Sequence, residues 1–303
     1  MKKRHKLALA TASLALSFGV IQAKPAQAAA VGRIDVYGAA SLSDAVPAVQ
    51  ALYLQSNPGV TFTNTFGASG TLVNQLLGGT NQIDVFFPVS QAPLDTLQAA
   101  NELVPGTRQD LLTNTLAIIT PINSTVAISS VQDLLKTRQV AIGNPAFVPA
   151  GVFAQELFTN SGISQQIQPK LVFGTDVRDV LSKVSSDTND SIDAGVVYTT
   201  DALTLAPDKV RIAYTPPTDA YSRIVYASAV LQQSQNPDAA RDFNSFLGSP
   251  QALSVFQGFG FSPANPTPVP EPMTIGGTIA AGAFGVMMKR KVAAKAKAKA
   301  TVN

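Results

Sequence analysis

Between residues 31 and 262 the chain alternates short apolar runs with longer stretches in which apolar residues recur every three or four positions. The short runs Arg33–Tyr37, Thr61–Phe66, Val85–Phe87, Thr115–Thr120, Val140–Ile142, Leu171–Phe173, Ala194–Tyr198 and Val210–Ala213 predict β-strands. The periodic stretches Ser43–Gln55, Thr71–Leu77, Pro93–Ala100, Val131–Leu135, Gly151–Asn160, Val177–Ser185, Pro237–Leu247 and Pro250–Phe256 predict helices. Strands that alternate with helices in this way build βα units, so the pattern implies an α/β fold with a mostly parallel sheet. No repeat of solenoid length interrupts it.

Both ends break the pattern. Residues 1–28 combine a basic start (Lys2, Lys3, Arg4, Lys6), an apolar run from Leu7 to Ile21 and the small-residue pattern Ala26-Gln27-Ala28, which reads as a secretory signal cleaved after Ala28. An uncleaved membrane anchor is the alternative, although the run is short for a span of about 20 residues. At the other end a Pro-rich linker, 263–272, leads to an apolar, Gly-rich segment, 273–288, and a basic tail, 289–303. The order Val269-Pro270-Glu271-Pro272, apolar segment and Lys289-Arg290-Lys291 resembles the PEP-CTERM sorting signal that exosortase-type machinery recognises on exported proteins. The Lys/Ala-rich extension Val292–Asn303 is longer than that signal's usual ending, and a plain C-terminal tether remains the alternative.

Composition alters the picture in two respects. The formal charge of +3 comes from the ends: eleven of the 22 Lys and Arg residues lie in 1–28 and 289–303, whereas all 19 Asp and Glu residues lie between them, leaving the middle at −8. A nucleic-acid surface would need clustered Lys and Arg, so nucleic acid is not an expected partner. Cys is absent and the one His is His5, in the leader, which excludes thiol chemistry, Cys/His zinc sites, a Ser-His-Asp triad and disulfides. No motif places a Lys base beside a serine, so an enzyme is not expected.

What remains is a set of strand ends rich in hydrogen-bond donors. In Val36-Tyr37-Gly38-Ala39-Ala40-Ser41-Leu42 a strand stops at residues almost without side chains, and Ser41 stands where an N-cap belongs. Phe66-Gly67-Ala68-Ser69-Gly70-Thr71 repeats that chemistry around Ser69. The turn Asn144-Pro145-Ala146-Phe147-Val148-Pro149-Ala150-Gly151 delivers the Ala150 N–H at a helix head, and Asp176, read as a cap, puts the Val177 N–H in the first turn of another. Gly195-Val196-Val197-Tyr198 ends in a hydroxyl. Helix starts bind anions through free N–H groups, and open α/β sheets bind ligands at the carboxyl ends of their strands.

The order of these motifs resembles the periplasmic molybdate-binding proteins of ABC importers. The match runs from about Ile34 to Phe261 and includes Ala39-Ala40-Ser41-Leu42, Gly67-Ala68-Ser69-Gly70-Thr71-Leu72, Asn114-Thr115-Leu116, Gly143-Asn144-Pro145 with Val148-Pro149-Ala150-Gly151, Asp176-Val177-Arg178, Gly195-Val196-Val197-Tyr198 with Asp201-Ala202, and Gly260-Phe261. The resemblance implies a two-lobed periplasmic binding protein type II fold: lobe 1 over 31–113 plus 224–262, lobe 2 over 114–223, two crossing strands, and a ligand cleft that closes between them. Carried over by position, it implies that molybdate or tungstate is held by Ser41 and Ser69, by the N–H groups of Ala150 and Val177, and by the Tyr198 hydroxyl. Molybdenum would then enter as its oxyanion, with no side chain ligating a metal cation and no cofactor. It further implies an exported monomer, periplasmic or on the cell surface, free or anchored through its C-terminal segment, that serves an ABC permease and its ATPase.

One departure falls near the cleft. After Asp84-Val85-Phe86 the family continues with small and acidic residues, whereas this chain has Phe87-Pro88-Val89-Ser90, an expected change at the rim or in closure. Phe147, where a polar residue is common, is expected to be peripheral. A donor-only site suits a fully deprotonated dianion; protonated phosphate would also need an acceptor. Sulfate meets the same criterion, so a receptor for another tetrahedral oxyanion stays open as an alternative, as does an anchored surface protein that has kept the fold without transport.

Overall fold

The computed structural model describes residues 30–79, 82–186, 191–205 and 208–264. The leader, the segment 273–288, the basic tail and most of the Pro-rich linker lie outside the described residues. In chain order the elements are β1 (Val31–Ala39), α1 (Ala45–Leu54), β2 (Gly59–Gly67), α2 (Ser69–Leu77), β3 (Val85–Phe87), α3 (Ala92–Ala99) and β4 (Gln109–Asn114). Then come β5 (Leu116–Pro121), β6 (Val140–Gly143), α4 (Pro149–Asn160), α5 (Ser164–Ile167), β7 (Leu171–Gly174), α6 (Val177–Ser185), β8 (Ala194–Tyr198), α7 (Thr199–Leu205) and β9 (Val210–Tyr214). The chain closes with β10 (Ile224–Val230), α8 (Pro237–Leu247), α9 (Pro250–Gly258) and β11 (Ser262–Pro263).

Two sheets result, ordered β11-β4-β10-β3-β1-β2 and β7-β6-β8-β5-β9. The chain leaves the first at Asn114 and enters the second at Leu116, then returns between Tyr214 and Ile224. This is the two-lobed type II architecture. The sheets are mixed rather than mostly parallel. β1 pairs in parallel with β2 and β3, and β6 with β7 and β8, but β10 runs antiparallel to both β3 and β4, and β5 antiparallel to β8 and β9. The strands beside each crossing carry the chain to and from the other lobe, and that reverses their direction.

Other expectations need correction. Ser41 is no helix cap: it lies within a 3₁₀ turn, Ala40–Leu42, and the α-helix starts only at Ala45. Val131–Lys136 is a 3₁₀ helix rather than an α-helix. Pro263, read as the start of the linker, pairs with Leu112 as part of β11, and the Ala264 N–H reaches the Leu111 carbonyl. The departure at Phe87 is also resolved: Phe87 is fully buried edge-on to Phe256, with ring centroids 6.0 Å apart, so its bulk goes to the core of lobe 1.

Candidate binding site

The site is assembled from the carboxyl ends of five strands, two in lobe 1 and three in lobe 2. β1 and β2 are neighbours in the first sheet, and β6 lies between β7 and β8 in the second. β1 runs into the turn bearing Ser41, and β2 ends just before Ser69, the first residue of α2. On the opposite side β6 leads through a proline turn to α4, where Ala150 follows Pro149 in the first turn. β7 leads to α6, and β8 ends on Tyr198. Proline at the first helical position sets the backbone angle and sacrifices no hydrogen bond, because first-turn N–H groups have no carbonyl four residues back.

Ser41, Ser69, Ala150, Val177 and Tyr198 line one cavity, together with Ala39, Ala40, Gly67, Ala68, Val89, Val148, Pro149 and Asp176. Its volume of about 10 Å³, room for about one water-sized sphere, is far below the roughly 300–1,000 Å³ of ordinary small-molecule pockets, so it suits only a very small ligand. Each of the five sequence-derived residues is at most 3% exposed. The geometry therefore brings all five together; which ligand they hold is a separate question.

The hydroxyls that line the cavity are arranged to present hydrogen rather than lone pairs. The Asp176 Oδ1 accepts from the N–H groups of Arg178 and Asp179 at 2.8 and 2.9 Å, so that oxygen serves as a helix cap. The Ser69 Oγ accepts from the Val89 N–H at 3.1 Å, leaving its own proton to donate. This bond is also where the Pro88-Val89 departure acts, since it places an apolar side chain in the cavity wall and an amide on Ser69. Ser41 Oγ and Tyr226 Oη lie 2.9 Å apart. The Tyr198 hydroxyl is fully buried and has no hydrogen-bond partner among the described residues. Burial, with smaller contributions from Tyr226 and Asp201, pushes its titration well above the ordinary tyrosine value, so it keeps its proton.

Contacts across the cleft hold the lobes together. The Gly70 N–H donates to the Phe147 carbonyl at 3.0 Å, and a Cβ on Gly70 would lie 2.6 Å from that oxygen. Arg178 on α6 bridges both lobes, with Nη2 2.8 Å from the Asp44 carboxylate and 3.2 Å from the Ser41 carbonyl, and Nε 2.7 Å from the Asp201 carboxylate. Sequence reasoning assigned no role to Arg178, Val89, Asn114 or Tyr226. Arg178 and Asn114 stood within recognised motifs, but the Ser41 carbonyl that Arg178 meets and the Thr200 and Tyr226 hydroxyls that Asn114 meets lie 86 or more residues away along the chain.

A family model described as bacterial extracellular solute-binding protein matches residues 34–262. The chain belongs to this family. As a solute-binding protein it is 32% identical over 271 residues to the molybdate-binding protein ModA of Haemophilus influenzae, which covers 86% of this chain and 99% of that one. It is 31% identical over 237 residues to ModA of Escherichia coli, covering 76% and 89%. Among solved structures, the periplasmic molybdate-binding protein of Azotobacter vinelandii shares the fold with a TM-score of 0.68 at 19% identity, covering 77% of this solute-binding protein and 100% of that chain. At the family level these are extracytoplasmic binding proteins and not enzymes.

Proposed function

We propose that this solute-binding protein captures molybdate or tungstate between its lobes and passes it to an ABC import permease driven by its ATPase. The hydroxyls of Ser41, Ser69 and Tyr198 and the N–H groups of Ala150 and Val177 hold the oxyanion. No side chain binds a metal cation directly. The observation that carries the reading is the Tyr198 hydroxyl: buried, protonated, without a partner among the described residues, and carried by a residue that lines a small cavity edged by two serines and helix starts. A buried donor without an acceptor is costly, and an anion that is all acceptor removes that cost. The names of the relatives agree with this ligand.

Residues 1–28 direct export, and the segment from the Pro-rich linker onward acts as a sorting signal or tether that keeps the receptor near its permease. One chain supplies both walls of the cavity, so a monomer suffices. Isothermal titration of the purified protein tests the ligand. Molybdate and tungstate are expected to bind, with sulfate and phosphate unable to displace them at equal concentration. Absence of binding, or displacement by sulfate at parity, overturns the assignment.

A further inference from the structure

Ser41 is held by a chain of hydrogen bonds that starts where the chain crosses between lobes. The Thr115 N–H donates to Asn114 Oδ1 at 2.9 Å, which fixes the amide so that Nδ2 faces the other way. That Nδ2 donates to Thr200 Oγ1 of lobe 2 at 2.8 Å and to Tyr226 Oη at 3.2 Å. Tyr226, on β10, is fully buried, and its oxygen has two polar neighbours, Asn114 Nδ2 and Ser41 Oγ. The first can only donate. Were Ser41 to donate as well, the buried phenolic proton would have no acceptor. Tyr226 therefore donates to Ser41, and the Ser41 proton is left for the cavity. Burial and the nearby Asp201 carboxylate push the Tyr226 hydroxyl far above its ordinary titration range, so the donor is permanent.

We infer that Tyr226, oriented by Asn114, is a specificity-determining positioning residue that makes Ser41 an obligate hydrogen-bond donor and so turns the cavity against tetrahedral oxyanions that carry a proton. This rests on the oxyanion reading of the cavity. Hydrogen phosphate and hydrogen arsenate present an O–H that needs an acceptor. To accept it, Ser41 would have to turn its own proton away from the ligand, where Tyr226 blocks the one receiving atom. The Ser69 oxygen likewise accepts from the Val89 amide, which favours pointing its proton at the ligand. A fully deprotonated dianion meets no such conflict.

The test measures affinities for molybdate and for inorganic phosphate in the wild type, in Tyr226→Phe and in Asn114→Asp. Tyr226→Phe removes the donor to Ser41; molybdate binding is expected to weaken about tenfold while phosphate is little changed. Asn114→Asp replaces the amide with a carboxylate that accepts from Tyr226, so Ser41 donates to Tyr226 and shows the ligand a lone pair. The added charge repels both dianions alike, whereas the ratio of molybdate to phosphate affinity is expected to fall further than in Tyr226→Phe. A ratio unchanged in the folded variants overturns the inference and leaves Tyr226 a packing residue. If Tyr226→Phe does not fold, Asn114→Asp decides alone. A wild type that binds no oxyanion instead defeats the reading on which the inference rests.

Discussion

Two hydroxyls in the cavity do different work in the free protein, and substitution separates them. The Ser69 oxygen serves the buried Val89 N–H, so Ser69→Ala strands that amide and should cost about 1–3 kcal/mol of stability as well as roughly tenfold or more in oxyanion affinity. The Tyr198 hydroxyl has no partner among the described residues. Tyr198→Phe should therefore weaken binding by a similar factor while the unfolding temperature without ligand stays level or rises. A fall in that temperature would mean the hydroxyl has a structural partner. The five residues that line the cavity were legible because a strand end, a small residue and a helix start are local features of the sequence. The partners that set their polarity were not. Tyr226 is 185 residues from Ser41, and only the folded sheet brings them together.

At the scale of elements, β6, β7 and β8 and helices such as α6 and α8 emerged within a residue or so of their expected bounds, because each has a marked period or a sharp stop. β10 was missed: Ile224–Val230 is buried at every position, and a strand covered on both faces shows no apolar–polar alternation to read. α7 follows β8 without a turn, so no punctuation marks its start. The start of α2 carries a further consequence. Gly70 lies on lobe 1, but the atoms its missing side chain would meet, the Phe147 carbonyl oxygen at 2.6 Å and Cα at 2.8 Å, belong to lobe 2. Gly70→Ala should leave the separate lobes intact, with the better helix former adding up to about 0.5–1 kcal/mol, while keeping the cleft from closing. Titration should show at least tenfold weaker binding, and small-angle scattering should show a smaller contraction on adding molybdate. Wild-type affinity would mean that the loop around Phe147 yields.

For the molecule as a whole, the link that spans the cleft is Arg178, and its buried partner Asp201 gives the link a pH dependence. Burial pushes the Asp201 carboxyl up to about 7, against the opposing charge of Arg178. The titratable and charged groups around it are Arg178 from α6, Asp44 from the start of α1, Tyr198 from β8 and Tyr226 from β10. An aspartate in the unfolded chain titrates near about 4. Between these two values the folded protein holds a proton that the unfolded chain has released, so rising pH favours unfolding until both states are ionised. The contribution of Asp201 is thus greatest below about pH 4 and is lost as pH rises through about 7. Asp201→Asn keeps the shape and removes the titration. Denaturant unfolding of both proteins without ligand should show the wild type losing stability relative to the variant by on the order of 2–4 kcal/mol between about pH 4 and pH 8, levelling off above about pH 7. A difference that is flat across the whole range would show that Arg178 outweighs burial and keeps the carboxylate ionised, making the bridge between lobes a permanent ion pair.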